Sequence, residues 1–157
     1  MGCTGRRTLG KKPCPSPDAT PRGLMLLLDS EAISCVAHGP AVRRDRVRAL
    51  IAEMRRRELP VATVAAVLAE VVRGRPQDAG VFSGLRSERV EVHPVDTRVG
   101  VRAGRLLGSA GLGSEQAIDA FVVAVADLLG GAVVATVDER DLGRLALHAA
   151  NVQIETI

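Results

Sequence analysis

The sequence predicts an α/β fold, a three-layer α/β/α sandwich around a central parallel sheet of four or five strands. Three observations carry this. Residues 24–28 and 132–137 are unbroken apolar runs, the pattern of strands covered on both faces. Segments with apolar residues at helical spacing alternate with strand-like segments along the chain. The length of 157 residues, with 46% hydrophobic and 25% charged, suits one domain with a full core and is too short for two.

The elements follow in order. Residues 1–22 contain Pro13, Pro15, Pro17 and Pro21 among small polar and basic residues, with almost nothing to bury. They are expected to be a disordered basic tail, leaving the domain at 23–157. The first strand, 24–28, runs into Asp29, and Ser30 is placed to cap a helix reaching about His38. Pro40 opens a second helix, whose Val47, Leu50, Ile51 and Met54 fall at i, i+3, i+4 and i+7. A short strand is expected at 61–64, then a helix over 65–73, apolar on most sides and stopped by Gly74 and Pro76. No element is assigned around Phe82. Residues 90–95 alternate like a strand broken by Pro94, and helical patterns cover 96–108 and 115–129, with Ser114 as N-cap of the second. The apolar strand 132–137 ends at Asp138, and a helix over 141–149 and a strand over 152–157 close the domain.

Composition narrows the function. Phe82 and Phe121 are the only aromatic residues, which excludes an aromatic stacking platform for nucleic acid and an aromatic cage for a cation. The formal charge of +3 belongs to the tail: residues 1–22 carry Arg6, Arg7, Lys11, Lys12 and Arg22 against Asp18, and the rest is close to neutral. Within that rest, 41–58 concentrate Arg43, Arg44, Arg46, Arg48, Arg55, Arg56 and Arg57. These suit RNA phosphates or an acidic partner, or form a solvated helix face. Cys3, Cys14 and Cys35 have neither CxxC nor metal-site spacing, which fits a reduced cytoplasmic chain. No signal-peptide pattern is present, and the apolar stretch 120–137 is interrupted by Asp127 and the Gly130-Gly131 pair, so no membrane partner is expected. His38, His93 and His148 share no spacing with a nucleophile, and the glycines at 104, 108, 111 and 113 form no phosphate loop.

The informative residues are carboxylates in apolar places. Asp29 and Asp138 each terminate an apolar strand, and ligands bind at the carboxyl ends of strands in open parallel sheets. Glu70 lies among Val67, Leu68, Val71 and Val72, so its helix implies burial, and Asp119 stands in the opening turns of an apolar helix. An unpaired buried carboxylate costs several kcal/mol. Singly, Asp29 caps the next helix, Asp119 meets its own helix N-terminus and Glu70 pairs with an Arg. If all four converge, each pair ~4 Å apart repels by roughly 4 kcal/mol at an effective dielectric near 20, and a cation or raised pKa values must hold the cluster. With oxygen as the only donor the cation is hard, Mg²⁺ or Mn²⁺, and such ions act on phosphates. Asp141 either caps the helix that starts there or adds a fifth acid, while Glu139 and Asp127 are expected to be solvated.

These residues together resemble a known family. The run Leu-Leu-Leu-Asp29-Ser30-Glu-Ala-Ile, Glu70, Ile118-Asp119-Ala120 and Ala135-Thr136-Val137-Asp138 look like the four acidic motifs of the PIN-domain ribonucleases. Spacing and length are most similar to the VapC toxins of bacterial toxin–antitoxin pairs, over residues 24–157. The resemblance implies a PIN-like domain and an Mg²⁺-dependent endoribonuclease. It makes Asp29, Asp119 and Asp138 metal ligands, with Glu70 completing the site or positioning the attacking water and Thr136 orienting a ligand. It also implies an RNA substrate, a cognate antitoxin that blocks the acidic site, and a homodimer. The tail at 1–22 departs from the family pattern. A PIN-like module that binds an antitoxin or RNA without cleaving is the competing expectation. A haloacid-dehalogenase-like phosphatase is disfavoured, because it expects Asp two residues after Asp29 and position 31 is Glu.

Overall fold

Five strands form one sheet: β1 Leu26–Leu28, β2 Val61–Val64, β3 Glu91–His93, β4 Ala132–Thr136 and β5 Val152–Thr156. The computed structural model describes residues 24–157, so the tail expected at 1–22 lies outside the described residues. The strand order is β3-β2-β1-β4-β5 and every neighbouring pair is parallel. Burial follows position: Leu26, Leu27 and Leu28 of central β1 are fully enclosed, while Glu91 and Val92 of edge strand β3 are exposed. The chain winds outward from β1 to β3 and then returns to lay β4 on the other side of β1, pairing Leu26 with both Val61 and Val133. The winding therefore reverses between β1 and β4, and the crevice at their carboxyl ends is the expected ligand position of such a sheet.

Among the described residues, seven α-helices cover the sheet: α1 Ser30–His38, α2 Ala41–Arg56, α3 Ala65–Val71, α4 Asp78–Ser87, α5 Thr97–Ala110, α6 Ala117–Leu128 and α7 Arg140–Ala146. Helix α1 packs against α2, α3 and α4, whereas α5, α6 and α7 pack against one another. Right-handed crossovers in opposite directions put these two groups on opposite faces, giving the three layers the sequence implies. The centre of the second layer is α6, whose Ala120 and Val122 through Ala126 are all buried, as an apolar helix wedged between sheet and neighbours must be.

Several local expectations are corrected. The stretch around Phe82 is helix α4, which buries Val81 and Leu85 at i and i+4. The N-cap of α1 is Asp29 rather than Ser30. Ser114 makes no capping bond to α6 but opens a 3-10 turn, Ser114–Gln116, that leads into it. Asp127 is not solvated: Arg102 Nε donates to its Oδ2 at 2.6 Å and the Ala150 N–H to its Oδ1 at 2.7 Å, tying α5 to α6 and to the approach of β5. Glu70 is exposed. Helix α3 has only seven residues, of which Val67 alone is buried, so a two-turn helix laid on the core leaves Ala65, Ala69 and Glu70 to solvent. Much of the arginine charge of α2 is met within the chain. Arg48 and Arg55 lie 3.6 and 3.3 Å from Glu88, Arg56 and Arg57 bond Glu53, and Arg46 lies 3.4 Å from Glu155.

Candidate metal centre

The crevice is built from strand ends. Thr63 Oγ1, itself buried in β2, donates to the Leu28 carbonyl at 2.7 Å and anchors the last residue of β1. The next residue, Asp29, turns from strand into helix with its N–H on the Ala135 carbonyl at 3.3 Å. Its Oδ1 accepts the Ala32 N–H at 2.7 Å, a capping bond that fixes the side chain while satisfying one open donor of α1. Asp29 is 5% exposed, and its pKa is raised to about 6. Burial is the main cause, and the charges of Glu31 and Asp119 add to it, while the nearby Thr136 hydroxyl and the Ala32 N–H oppose it.

Asp119 comes from the opposite layer. It stands in the first turn of α6, where its side chain makes no capping bond, and its pKa too is raised to about 6. Burial leads again, followed by the charges of Glu70, Asp141, Glu31 and Asp138 in that order. Those causes define the neighbourhood. Although Glu70 is exposed, it is the charge that raises the Asp119 pKa most, consistent with the packing of its helix α3 against α6.

Asp138 follows β4 and is exposed at the crevice mouth. Its Oδ1 accepts the Arg140 N–H at 3.0 Å, and its backbone is held by Thr136, whose hydroxyl donates to the Asp138 carbonyl at 3.0 Å and lies 3.1 Å from the Asp138 N–H. Thr136 is thus buried beside Asp29 and bonded to Asp138, linking the ends of β1 and β4. Asp141, half-buried in the first turn of α7, has a weak contact of 3.8 Å with Arg144.

Asp29, Glu70, Asp119 and Asp138, the four acids expected from the sequence, are therefore electrostatic neighbours near the carboxyl ends of β1 and β4, with Asp141 among them. A further acid was not singled out. Glu31 Oε2 accepts the N–H groups of Asp138 at 2.9 Å and Val137 at 3.2 Å. Its signal in the sequence is an acid in the first helical turn after an apolar strand, which reads equally as a favourable helix-dipole charge. Among the described residues, none of Asp29, Glu31, Glu70, Asp119 and Asp138 forms an ion pair with Lys, Arg or His. His38 bonds the Gln77 carbonyl at 3.0 Å and the remaining histidines lie elsewhere, so the donors here are all oxygen. That donor chemistry and the unpaired negative charge suit a hard divalent cation. Among the described residues, no group of three or more His, Cys, Asp or Glu side chains is placed to hold a metal ion.

Comparison with known proteins bears on the fold and the family. A family model described as PIN domain matches residues 26–147. Among solved structures, the crystal structure of VapBC2 from Rickettsia felis bound to a DNA fragment from their promoter contains a similar chain. It aligns with a TM-score of 0.58 at 16% identity, over 85% of this chain and 99% of that chain, a likeness of fold. No curated protein matches the sequence.

Proposed function

Because the chain belongs to the PIN-domain family, we propose that it is a divalent-metal-dependent endoribonuclease, the toxin of a VapC-type toxin–antitoxin pair. The observation that carries this reading is the set of five mutually influencing carboxylates, Asp29, Glu31, Glu70, Asp119 and Asp138, with no cationic partner among the described residues. Repulsion of that kind is retained at a site when a cation or a proton is needed there.

Asp29, Asp119 and Asp138 are the residues that would hold Mg²⁺ or Mn²⁺, and the ion would supply charge neutralisation at the scissile phosphate and a more acidic water. The chain's own residues do the rest. Asp29 is pinned by the Ala32 N–H and so presents its carboxylate in one orientation. With pKa values raised to about 6, Asp29 and Asp119 are largely ionised at neutral pH and protonated in mild acid. Glu70, which is exposed, would accept a proton from an attacking water, and Thr136 would hold Asp138 through its hydroxyl.

The partners follow from the same reading: RNA as substrate, a cognate antitoxin that covers the acidic crevice as in VapBC pairs, and a second copy in a homodimer. Such a toxin works in the cytoplasm. No helix among the described residues is long and apolar enough to cross a membrane.

Asp29→Asn and Asp119→Asn are expected to abolish RNA cleavage and relieve growth arrest while far-UV circular dichroism stays native. An unchanged cleavage rate in either variant overturns the assignment. A second reading, a PIN-domain module that binds antitoxin or RNA without cutting, is favoured because no three His, Cys, Asp or Glu side chains among the described residues are placed to hold a metal ion. Absence of Mn²⁺ binding together with intact partner binding would select it.

A further inference from the structure

Glu31 enters the reading above only through its charge, yet it makes two hydrogen bonds to the end of β4. It leaves α1 two residues after Asp29 and spans to the end of β4, where one oxygen, Oε2, takes two successive backbone N–H groups, Val137 at 3.2 Å and Asp138 at 2.9 Å. Those donors are the first residues past the sheet: β4 ends at Thr136, so without Glu31 the two N–H groups have no ladder partner on this side. The Asp138 N–H is already shared with the Thr136 hydroxyl, which fixes the same peptide from beneath. A carboxylate that accepts two backbone N–H groups is a strong, directional brace. Building it costs something, since Glu31 adds negative charge beside Asp29 and Asp119 and raises the pKa of both. A Ser or Asn at 31 is too short to reach across as Glu does and would add no repulsion. The observed residue is the one that reaches.

We propose that Glu31 is the positioning residue of the site, its carboxylate clamping the turn after β4 so that Asp138 is held toward Asp29 and Asp119. The inference rests on the nuclease reading for its catalytic consequence, but not for the clamp itself. As a positioning residue Glu31 acts through hydrogen-bond acceptance, and a glutamine can accept the same two bonds without the charge. As a direct ion ligand it would act through its charge, and glutamine would fail.

The test compares the full chain with Glu31→Gln and Glu31→Ala in two measurements. Amide hydrogen exchange at Val137 and Asp138 reports the clamp without any activity. Protection retained in the Gln variant and lost in the Ala variant is expected, and equal protection in all three contradicts the clamp. Steady-state cleavage of a labelled RNA in Mg²⁺ then reports the consequence. Loss of outer-shell support commonly costs about 10–100-fold, so kcat should fall by about that factor in the Ala variant with KM little changed, and glutamine should restore most of it. If the Ala variant loses amide protection yet keeps its kcat, or if glutamine is as damaged as alanine, the positioning role is wrong. If the unaltered chain cuts no RNA, the nuclease reading fails while the exchange result still decides the clamp.

Discussion

Asp29 sits where ionisation is least comfortable, at the end of a buried strand with two further carboxylates in reach. Its folded-state pKa of about 6 exceeds the ordinary 3.8, so between those values the folded chain holds the proton more tightly than the unfolded chain. Stability from this residue is therefore full below about pH 4 and is lost as pH rises through 6, by roughly 2–3 kcal/mol. Asp29→Asn keeps an oxygen for the Ala32 N–H and removes the charge. Its urea midpoint at pH 7.5 should exceed that of the parent, by an amount that shrinks toward pH 4.5. A variant less stable at pH 7.5 would show that burial costs this carboxylate little. Asp29 and Asp138 could be read from the chain because each ends an apolar run, and Asp119 because it interrupts one. Glu70 was misjudged because four apolar neighbours in sequence imply burial only if the helix is surrounded, and α3 is covered on one side. The role of Glu31 is not legible because its partners are backbone N–H groups 106 and 107 residues away, and a backbone donor leaves no mark in sequence.

At the scale of elements, strands and amphipathic helices were legible where periodicity is strong, and α4 was not. Its Gly80 and Gly84 lower helix propensity, but both face α1 at short range. A Cβ at Gly80 would stand 2.5 Å from the His38 ring and one at Gly84 3.2 Å from the Val36 side chain. Close approach of the two helices explains the glycines, and only the packed structure displays it. The second layer relies on a different device. Arg102 donates both to Asp127 at 2.6 Å and to the His148 carbonyl at 2.8 Å, joining α5, α6 and the segment before β5. Both side chains are mostly covered, at 26% and 14% exposed, so the pair is worth more than a surface bridge. Arg102→Ala should cost about 1–3 kcal/mol in urea denaturation, and a loss below about 0.5 kcal/mol would show the pair to be as weak as exposed ones. By contrast, Arg48→Ala on α2 removes a longer contact, 3.6 Å, from an exposed arginine to Glu88, which keeps Arg55 at 3.3 Å, and should change stability by less than about 1 kcal/mol.

For the whole molecule, the order β3-β2-β1-β4-β5 does the decisive work. It brings residues 29 and 138, far apart in the chain, to adjacent strand ends, and right-handed crossovers bring Asp119 from one helical layer and Glu70 from the other to the same edge. The scarcity of aromatic residues fits a site that grips by charge rather than by stacking. Since α2 spends most of its arginines on Glu53, Glu88 and Glu155, on the proposed reading RNA selection would draw on the shape of the site as well. The central claim is that this acidic edge cuts RNA only with a divalent cation in it. The most direct measurement is cleavage of a 5′-labelled RNA by the purified chain, stripped with EDTA and then titrated with Mg²⁺ at pH 7.5. Cleavage should be absent in EDTA and return with Mg²⁺ in a saturable way. Cutting that persists in EDTA, or none at any Mg²⁺ or Mn²⁺ concentration, would contradict the account.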